Sequence, residues 1–425
     1  MVIELSNLTF TEQDDIVLDW GEEIINTGIA NLLAGNDIII GTKEITTDIP
    51  FPGYFNGGIF NSNTLNTGDG NDMIIGTISG TVTPDFTNPF DPYRYYGIHN
   101  LGSIYTGEGS DIIIGINEGD FDFGSPGDPD QPGDFGSAGG IYSGGSTIDT
   151  GDGNDIIIGI SIGGGFGIKN DTTINTGDGN DTITGTSGNV NTFNGSISGG
   201  ITNNAYIYTE NGDDIITGTG TTYGLTNNAY IYTENGDDII TGTGTTYGFT
   251  NNGHIHTENG DDIITGTGTT YGLTNNGHIH TESGNDIITG TGTTYGITNN
   301  GHIHTESGDD IITSTGVIYS VGSINTGNGN DSIIANEGLN GSGNVYFGED
   351  EDYIKGFGSI NLHGGNDEDT VELTSGNYTV GIGNIWVTFT KGDQLMQTSE
   401  FETLIAGGTT YDFTSLTAGQ IIVVA

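Results

Sequence analysis

The chain has 425 residues and carries 56 Asp and Glu against 5 Lys and Arg, a formal net charge of -51. A surface potential of that sign repels phosphate, which excludes nucleic acid and anionic membranes as partners and leaves cations. Glycine supplies 78 residues, hydrophobic types only 32%, and there is no Cys, so the expected core is thin and any metal must be held by ligands other than thiolate.

The first stretch, "MVIELSNLTFTEQDDIVLDW", has no basic leader, and no segment of the chain approaches 18 consecutive apolar residues. It reads as an N-terminal cap over 1–30, neither a Sec leader nor a membrane span.

From residue 31 an acidic, glycine-rich turn followed by an apolar run recurs at irregular intervals: "NLLAGNDIIIG", "NTGDGNDMIIG", "YTGEGSDIIIG", "DTGDGNDIIIG" and "NTGDGNDTITG". All 8 prolines fall between 50 and 132, inside long spacers, which predicts extruded loops near 81–103 and 117–142. The formal match of "GISIG" to a nucleophile elbow at Ser161 lies in a strand with no strand-to-helix context, and no metalloprotease, phosphate-loop or dinucleotide motif appears, so no enzyme is expected.

Residues 201–320 divide into five copies of a 24-residue repeat close to "LTNNAYIYTENGDDIITGTGTTYG". Within each copy β-branched and aromatic residues alternate with small or polar ones and no helical period is sustained, which reads as strand, turn, strand, turn. Such a unit buries an apolar face only when copies stack in register, so the expected fold is all-β, a parallel β-solenoid of about a dozen coils over 31–371.

Stacking sets equivalent side chains about 4.8 Å apart. Ile201, Leu225, Phe249, Leu273 and Ile297 then form one inward ladder, Tyr223, Tyr247, Tyr271 and Tyr295 a second, and Asn203, Asn204 and their copies an amide ladder at a corner. The same register puts Asp214, Asp238, Asp262, Asp286 and Asp310 in one column. Two bare charges ~5 Å apart cost on the order of 3 kcal/mol at an effective dielectric of ~20, so the column calls for divalent cations between its rungs. Carboxylate and turn-carbonyl oxygens in a flexible loop suit Ca²⁺ better than Mg²⁺.

After the 24-residue block come "NTGNGNDSIIA" and two weaker copies, "YFGEDEDYIKG" and "LHGGNDEDTVE". The segments "TGDGNDMIIG" at 67–76 and "TGDGNDIIIG" at 150–159 resemble the glycine- and aspartate-rich nonapeptide of RTX proteins, the hemolysin-type calcium-binding repeat family. The resemblance implies calcium ligands at Asp72, Asp111, Asp155, Asp181, Asp214, Asp238, Asp262, Asp286, Asp310 and Asp331, with Asp37, Asp69, Asp152, Asp178, Asp352 and Asp369 at imperfect or flanking positions. It implies packing roles for Ile74, Ile113, Ile157, Ile183, Ile216, Ile240, Ile264, Ile288, Ile312 and Ile333, with turn carbonyls of adjacent coils completing each metal's coordination. Two departures stand out: the family's first Gly is Thr in most copies, and its second Gly is Glu between 209 and 310, as in "TENGDD". Because one acidic turn alternates with a neutral "YGLTNN" turn, one calcium column is expected and not two. The tail, 372–425, with "FETLIAGGTTYDF", is similar to the segment that follows RTX repeats and implies a C-terminal β cap with an uncleaved type I secretion signal.

Two other arrays accompany the turns. "GHIH" places His254, His256, His278, His280, His302 and His304 in two columns, where earlier copies hold Tyr206, Tyr208, Tyr230 and Tyr232; the pattern suits either an aromatic stack or a transition-metal site. "TGTGT" places Thr217, Thr219 and Thr221, Thr241, Thr243 and Thr245, Thr265, Thr267 and Thr269, and Thr289, Thr291 and Thr293 on one outward face, a hydroxyl lattice of the kind that binds ice or a glycan, although Thr is also simply a good strand residue. The sequence therefore reads as a non-catalytic, secreted calcium-binding solenoid with a structural or surface-layer role, self-assembling as a homo-oligomer or fibre; the alternative is an ice- or carbohydrate-binding module with a cell-surface glycan as partner.

Overall fold

The computed structural model describes residues 2–45, 56–82, 94–121, 137–188 and 199–425. They form two compact units, Met1–Thr233 with Gly242–Thr245, and Glu234–Thr241 with Thr246–Ala425. Both are parallel β-solenoids; among the described residues the helical elements are two short 3₁₀ turns, Leu5–Asn7 and Phe413–Ser415.

A typical coil of the first unit consists of a three-residue strand before the acidic turn, Thr147–Asp149, a six-residue strand after it, Ile156–Ser161, and a return strand, Phe166–Asn170. Each pairs in parallel with its counterpart one coil on, Ile148 with Ile174, Ile157 with Ile183 and Ile168 with Ile201. Three sheets result, here called pre-turn, post-turn and return. The second unit repeats the plan with His278–His280, Ile287–Thr291 and Tyr295–Asn299.

One aliphatic side chain per strand points inward, and in the first unit Ile148, Ile157 and Ile168 are fully buried. Parallel stacking turns each into a ladder, the means by which so apolar-poor a chain secures a continuous core. Ile201 and Leu225 in the first unit, and Phe249, Leu273 and Ile297 in the second, are all fully buried. The tyrosine ladder departs from expectation. Tyr271 stacks on Tyr247 at 4.9 Å, but these tyrosines are only half-buried, because the adjacent glycine and aliphatic residue are the ones turned inside. At the opposite corner Asn170 donates to Asn203 and Asn203 to Asn227, each at 2.8 Å, a buried amide ladder; Asn204 belongs to a parallel exposed one, accepting from Asn228 at 2.7 Å.

Glycine has a steric task in the strands themselves. From Ile38–Ile45 to Ile287–Thr291 the second inward position of each post-turn strand is Gly, and a Cβ at Gly159 would lie 2.1 Å from the carbonyl oxygen of Gly167 on the return strand. The same holds at Gly115 against Gly140 and, in the second unit, at Gly290 against Gly296. The post-turn and return sheets therefore meet backbone to backbone at this level, which leaves the coil too flat to hold a side chain.

Two expected boundaries move. Coils begin inside the expected cap, since Ile16–Gly21 already pairs in parallel with Ile38–Ile45. They also run past 371, because Thr403–Ala406 stacks on Thr370–Leu373 before antiparallel strands Gly376–Ile382, Val387–Lys391 and Ile421–Val424 close the end. Of the expected loops, 83–93 and 122–136 lie outside the described residues, whereas Arg94–Asn100 and Ser137–Ser143 are return strands, drawn inward by Tyr95, Tyr96, Ile98 and Ile141, all buried.

Gly159→Ala should destabilise the chain by the ~1–3 kcal/mol of core overpacking or more, because the blocking atom is backbone. Thermal denaturation compared with the outward Ile158→Ala would show it, the inward change being the more damaging.

Candidate metal centre

The aspartate that follows each glycine-rich turn is buried at the start of the post-turn strand, and the coils are joined through it. In the first unit the backbone N–H of Asp37 donates to Asp72 Oδ1, that of Asp72 to Asp111, that of Asp111 to Asp155, that of Asp155 to Asp181 and that of Asp181 to Asp214, at 2.7–2.8 Å. In the second unit the same bond runs from Asp238 through Asp262, Asp286, Asp310, Asp331 and Asp352 to Asp369, at 2.8–3.0 Å. The spacing in sequence between bonded aspartates ranges from 17 to 44 residues, so the carboxylate and not the coil length sets the register.

These are the ten expected ligands together with Asp37, Asp352 and Asp369, all in equivalent positions. Asp69, Asp152 and Asp178 are set apart: they sit exposed at the turn tips, where Asp178 Oδ1 accepts from the Asn211 amide at 2.6 Å.

Only one oxygen of most of these buried carboxylates is used: Oδ2 of Asp37, Asp72, Asp111, Asp155 and Asp181 in the first unit, and of Asp262, Asp286, Asp310, Asp331, Asp352 and Asp369 in the second, is buried without a hydrogen-bond partner. Burial is accordingly the dominant influence on their ionisation, pushing Asp214 up to about 6, Asp155 and Asp181 to about 7 and Asp262 to about 8. The threonine five residues earlier and the bonded N–H pull each value partway back, and neighbouring carboxylates raise all four further. A buried carboxyl with a bare oxygen has two ways to settle, a proton or a cation.

The turn supplies more oxygen. Gly68, Gly107, Gly151 and Gly177 adopt φ of 76–94°, a left-handed conformation open to glycine, and the carbonyl of each of the first three points at the α-carbon of its counterpart in the next coil, where a Cβ would fall 2.1–2.3 Å away. In the 24-residue copies Glu210, Glu234, Glu258, Glu282 and Glu306 take the same position with φ of 56–69°. The glutamate departure thus preserves the fold of the turn, at about 1–2 kcal/mol per residue for a left-handed side-chain-bearing residue. It changes the carbonyl, however: Glu258 and Glu282 carbonyls accept N–H bonds from Ser283 and Ser307 at 2.9 and 2.8 Å.

Among the described residues no three His, Asp or Glu side chains cluster as a metal site. A cation here would rest on one Asp Oδ2 per coil, such as Asp111 or Asp155, and on turn carbonyls such as those of Gly68 and Gly107. That all-oxygen, backbone-rich set fits calcium, which would supply the positive charge the column lacks.

The histidines lie on the outer side of the pre-turn sheet. His254 stacks on His278 at 4.7 Å and His256 on His280 at 5.0 Å, their ring planes nearly parallel, while Tyr206 on Tyr230 and Tyr208 on Tyr232 do the same in the first unit. Parallel rings at that distance cannot aim their nitrogens at one ion with bonds of ~2.1 Å; His302 and His304 continue the columns, His304 turning edge-on to His280 and facing Glu306 at 3.5 Å. Burial lowers the pKa of His256, His278, His280 and His304, that of His280 to about 4; neighbouring histidines add to the effect, while Glu306 opposes it at His304.

The threonine lattice is narrower than its sequence suggests. Thr217 and Thr219, Thr241 and Thr243, Thr265 and Thr267, and Thr289 and Thr291 face outward on post-turn strands. Thr221, Thr245, Thr269 and Thr293 lie beyond those strands, because Gly220 and its copies pack on a backbone carbonyl where the chain turns the corner. Thr184 and Thr186, in the less regular "TITGTS", pair with Thr217 and Thr219 and extend the array. Ser161 is buried, its hydroxyl donating to the Gly164 carbonyl.

No family model and no curated protein matches the sequence. One solved structure similar to the chain is the X-ray crystal structure of a hyperactive, Ca²⁺-dependent, beta-helical antifreeze protein from an Antarctic bacterium, at 14% identity over 98% of this chain and 95% of that chain, with a TM-score of 0.43. Likeness at that level carries no functional inference.

In metal-free protein Asp214 keeps its proton to about pH 6 and Asp262 to about pH 8, with Asp155 and Asp181 between them at about 7, whereas unfolded carboxyls release theirs near 3.8. The folded chain therefore binds more protons across that window, and the stability present below it is lost as pH rises through the folded values. Denaturation in chelator should show stability falling from pH 6 to pH 8, with calcium reversing the fall. Asp155→Asn, which retains the Oδ1 acceptor and cannot ionise, should flatten the pH dependence in chelator and weaken the calcium response; an unchanged calcium response would exclude Asp155 as a ligand.

Proposed function

We propose that this chain is a non-catalytic, calcium-binding β-solenoid that works outside the cell as a structural or surface-layer protein and assembles with copies of itself. The observation that carries this reading is the column of buried aspartates, in which Asp155, Asp181 and Asp310, for example, each have one oxygen bonded to the previous coil and the other without a partner. Every coil adds one such carboxyl, so the repeat is stable at neutral pH only when the charge is met. Extracellular calcium modules work at ~10⁻⁴–10⁻³ M, a range that suits weak sites repeated many times. Export by a type I route through the C-terminal segment fits this reading, since low cytosolic calcium would leave the column charged and the coils unformed until release. The net charge of -51 argues against nucleic acid as a partner, and no helix among the described residues is long and apolar enough to cross a membrane.

A second reading is favoured by the paired outward threonines, in register on flat strands, as with Thr265 and Thr267 against Thr289 and Thr291. That surface suits ice or a glycan, and thermal hysteresis or glycan-array binding that disappears in Thr265→Tyr/Thr289→Tyr would assign it.

Far-UV circular dichroism of chelated protein titrated with Ca²⁺, with Mg²⁺ as control, tests the main reading. Strand signal should form with calcium and not with an equal concentration of magnesium. A chain fully folded in chelator at pH 8 and unchanged by calcium would overturn it.

A further inference from the structure

The post-turn sheet of the first unit has an outer face that the calcium column does not account for and that the threonine lattice reaches only at its last two strands, Thr182–Ser187 and Ile215–Gly220. Seven strands, from Ile16–Gly21 to Ile215–Gly220, lie in parallel register, and the first three outward positions on each carry no charge. At the centre, Ile112, Ile114 and Ile116 stand directly beside Ile156, Ile158 and Ile160. The strand at one end is the most open, with Trp20 72% exposed. In a chain with 56 acidic residues this is an apolar lattice with an acidic rim, Glu44 and Glu118 beyond one side and the turn tips along the other.

We infer that this face docks on the same face of a second copy of the chain, the two sheets stacked through their isoleucine rows. Seven strands ~4.8 Å apart, with three outward positions ~6.6 Å apart, give a footprint of ~700 Å² per copy. A stable interface covers ~800 Å² per partner, close to this uncharged footprint, whose first five strands carry isoleucine, leucine, methionine or tryptophan at all but two outward positions, Thr42 and Thr77. Two copies repel along their acidic edges, so the uncharged strip is the surface on which they can approach. A flat, regular pleat is complementary to itself under a two-fold axis, and sheets pack in this way ~10 Å apart. This deepens the structural reading above, on which it rests for a folded, calcium-loaded chain, and it makes the contact between copies face to face.

Sedimentation velocity on the full chain in calcium, at low and high NaCl, tests it against two outward double variants: Ile114→Asp/Ile158→Asp in the lattice, and Thr265→Asp/Thr289→Asp on the same sheet of the second unit. The wild type should dimerise more tightly at high salt, as the acidic rims are screened. The isoleucine variant should associate about a hundredfold more weakly, because each new charge would be buried without a partner; the threonine variant should match the wild type. A wild type monomeric at both salt concentrations, or a dimer indifferent to Ile114→Asp/Ile158→Asp, would overturn the docking. Circular dichroism on the same samples reports the calcium response separately, so loss of that response and loss of the dimer are distinct results.

Discussion

One hydrogen bond organises both units: the backbone N–H at the head of each post-turn strand donates to the carboxylate of the next coil's aspartate. It draws an ionisable group inside, where burial disfavours its charge, and leaves the second oxygen bare. Stability of the stack and demand for a cation thus have a common origin. A solenoid joined by apolar ladders alone would not need a metal; here the same aspartate that sets the register makes the fold answer to pH and to calcium.

That bond also explains how coils of very different length share one architecture. The aspartate and the turn before it are held to a narrow geometry, while the connection between post-turn strand and return strand varies in length, from Gly220 to Tyr223 in one coil and from Ser187 to Gly199 in another, because it contributes little to the register. Glycine is confined by two separate constraints. In the turn it, or glutamate at some energetic cost, must accept a left-handed backbone; in the strand it must vanish sterically, because the sheets touch there.

The outer surfaces are consequently free to specialise, since inward positions carry the fold. The post-turn sheet bears isoleucine in the earlier coils of the first unit and threonine pairs from Thr184 and Thr186 onward, while the pre-turn sheet bears stacked tyrosine or histidine. A single repeat can therefore carry calcium sites at its turns and separate contact surfaces on its faces without either disturbing the core.

Period and alternation in the sequence by themselves determined the parallel solenoid, the inward isoleucines, the aspartate column and the acidic chemistry, because those features repeat locally and stacking converts each repeat into a ladder. Other features required the tertiary structure. That the aspartates are buried, with one oxygen spent on a neighbouring coil, depends on residues 17–44 positions apart. That the third threonine of each "TGTGT" leaves the face depends on where a glycine meets a carbonyl of another strand. "DIIIGI" shows three isoleucines at alternate positions, but only the register of seven strands makes them a surface. The half-burial of the tyrosines and the strands at 94–100 and 137–143 were hidden for the same reason: local alternation specifies which residues share a face, whereas the close approach of sheets across the coil decides which face is inside.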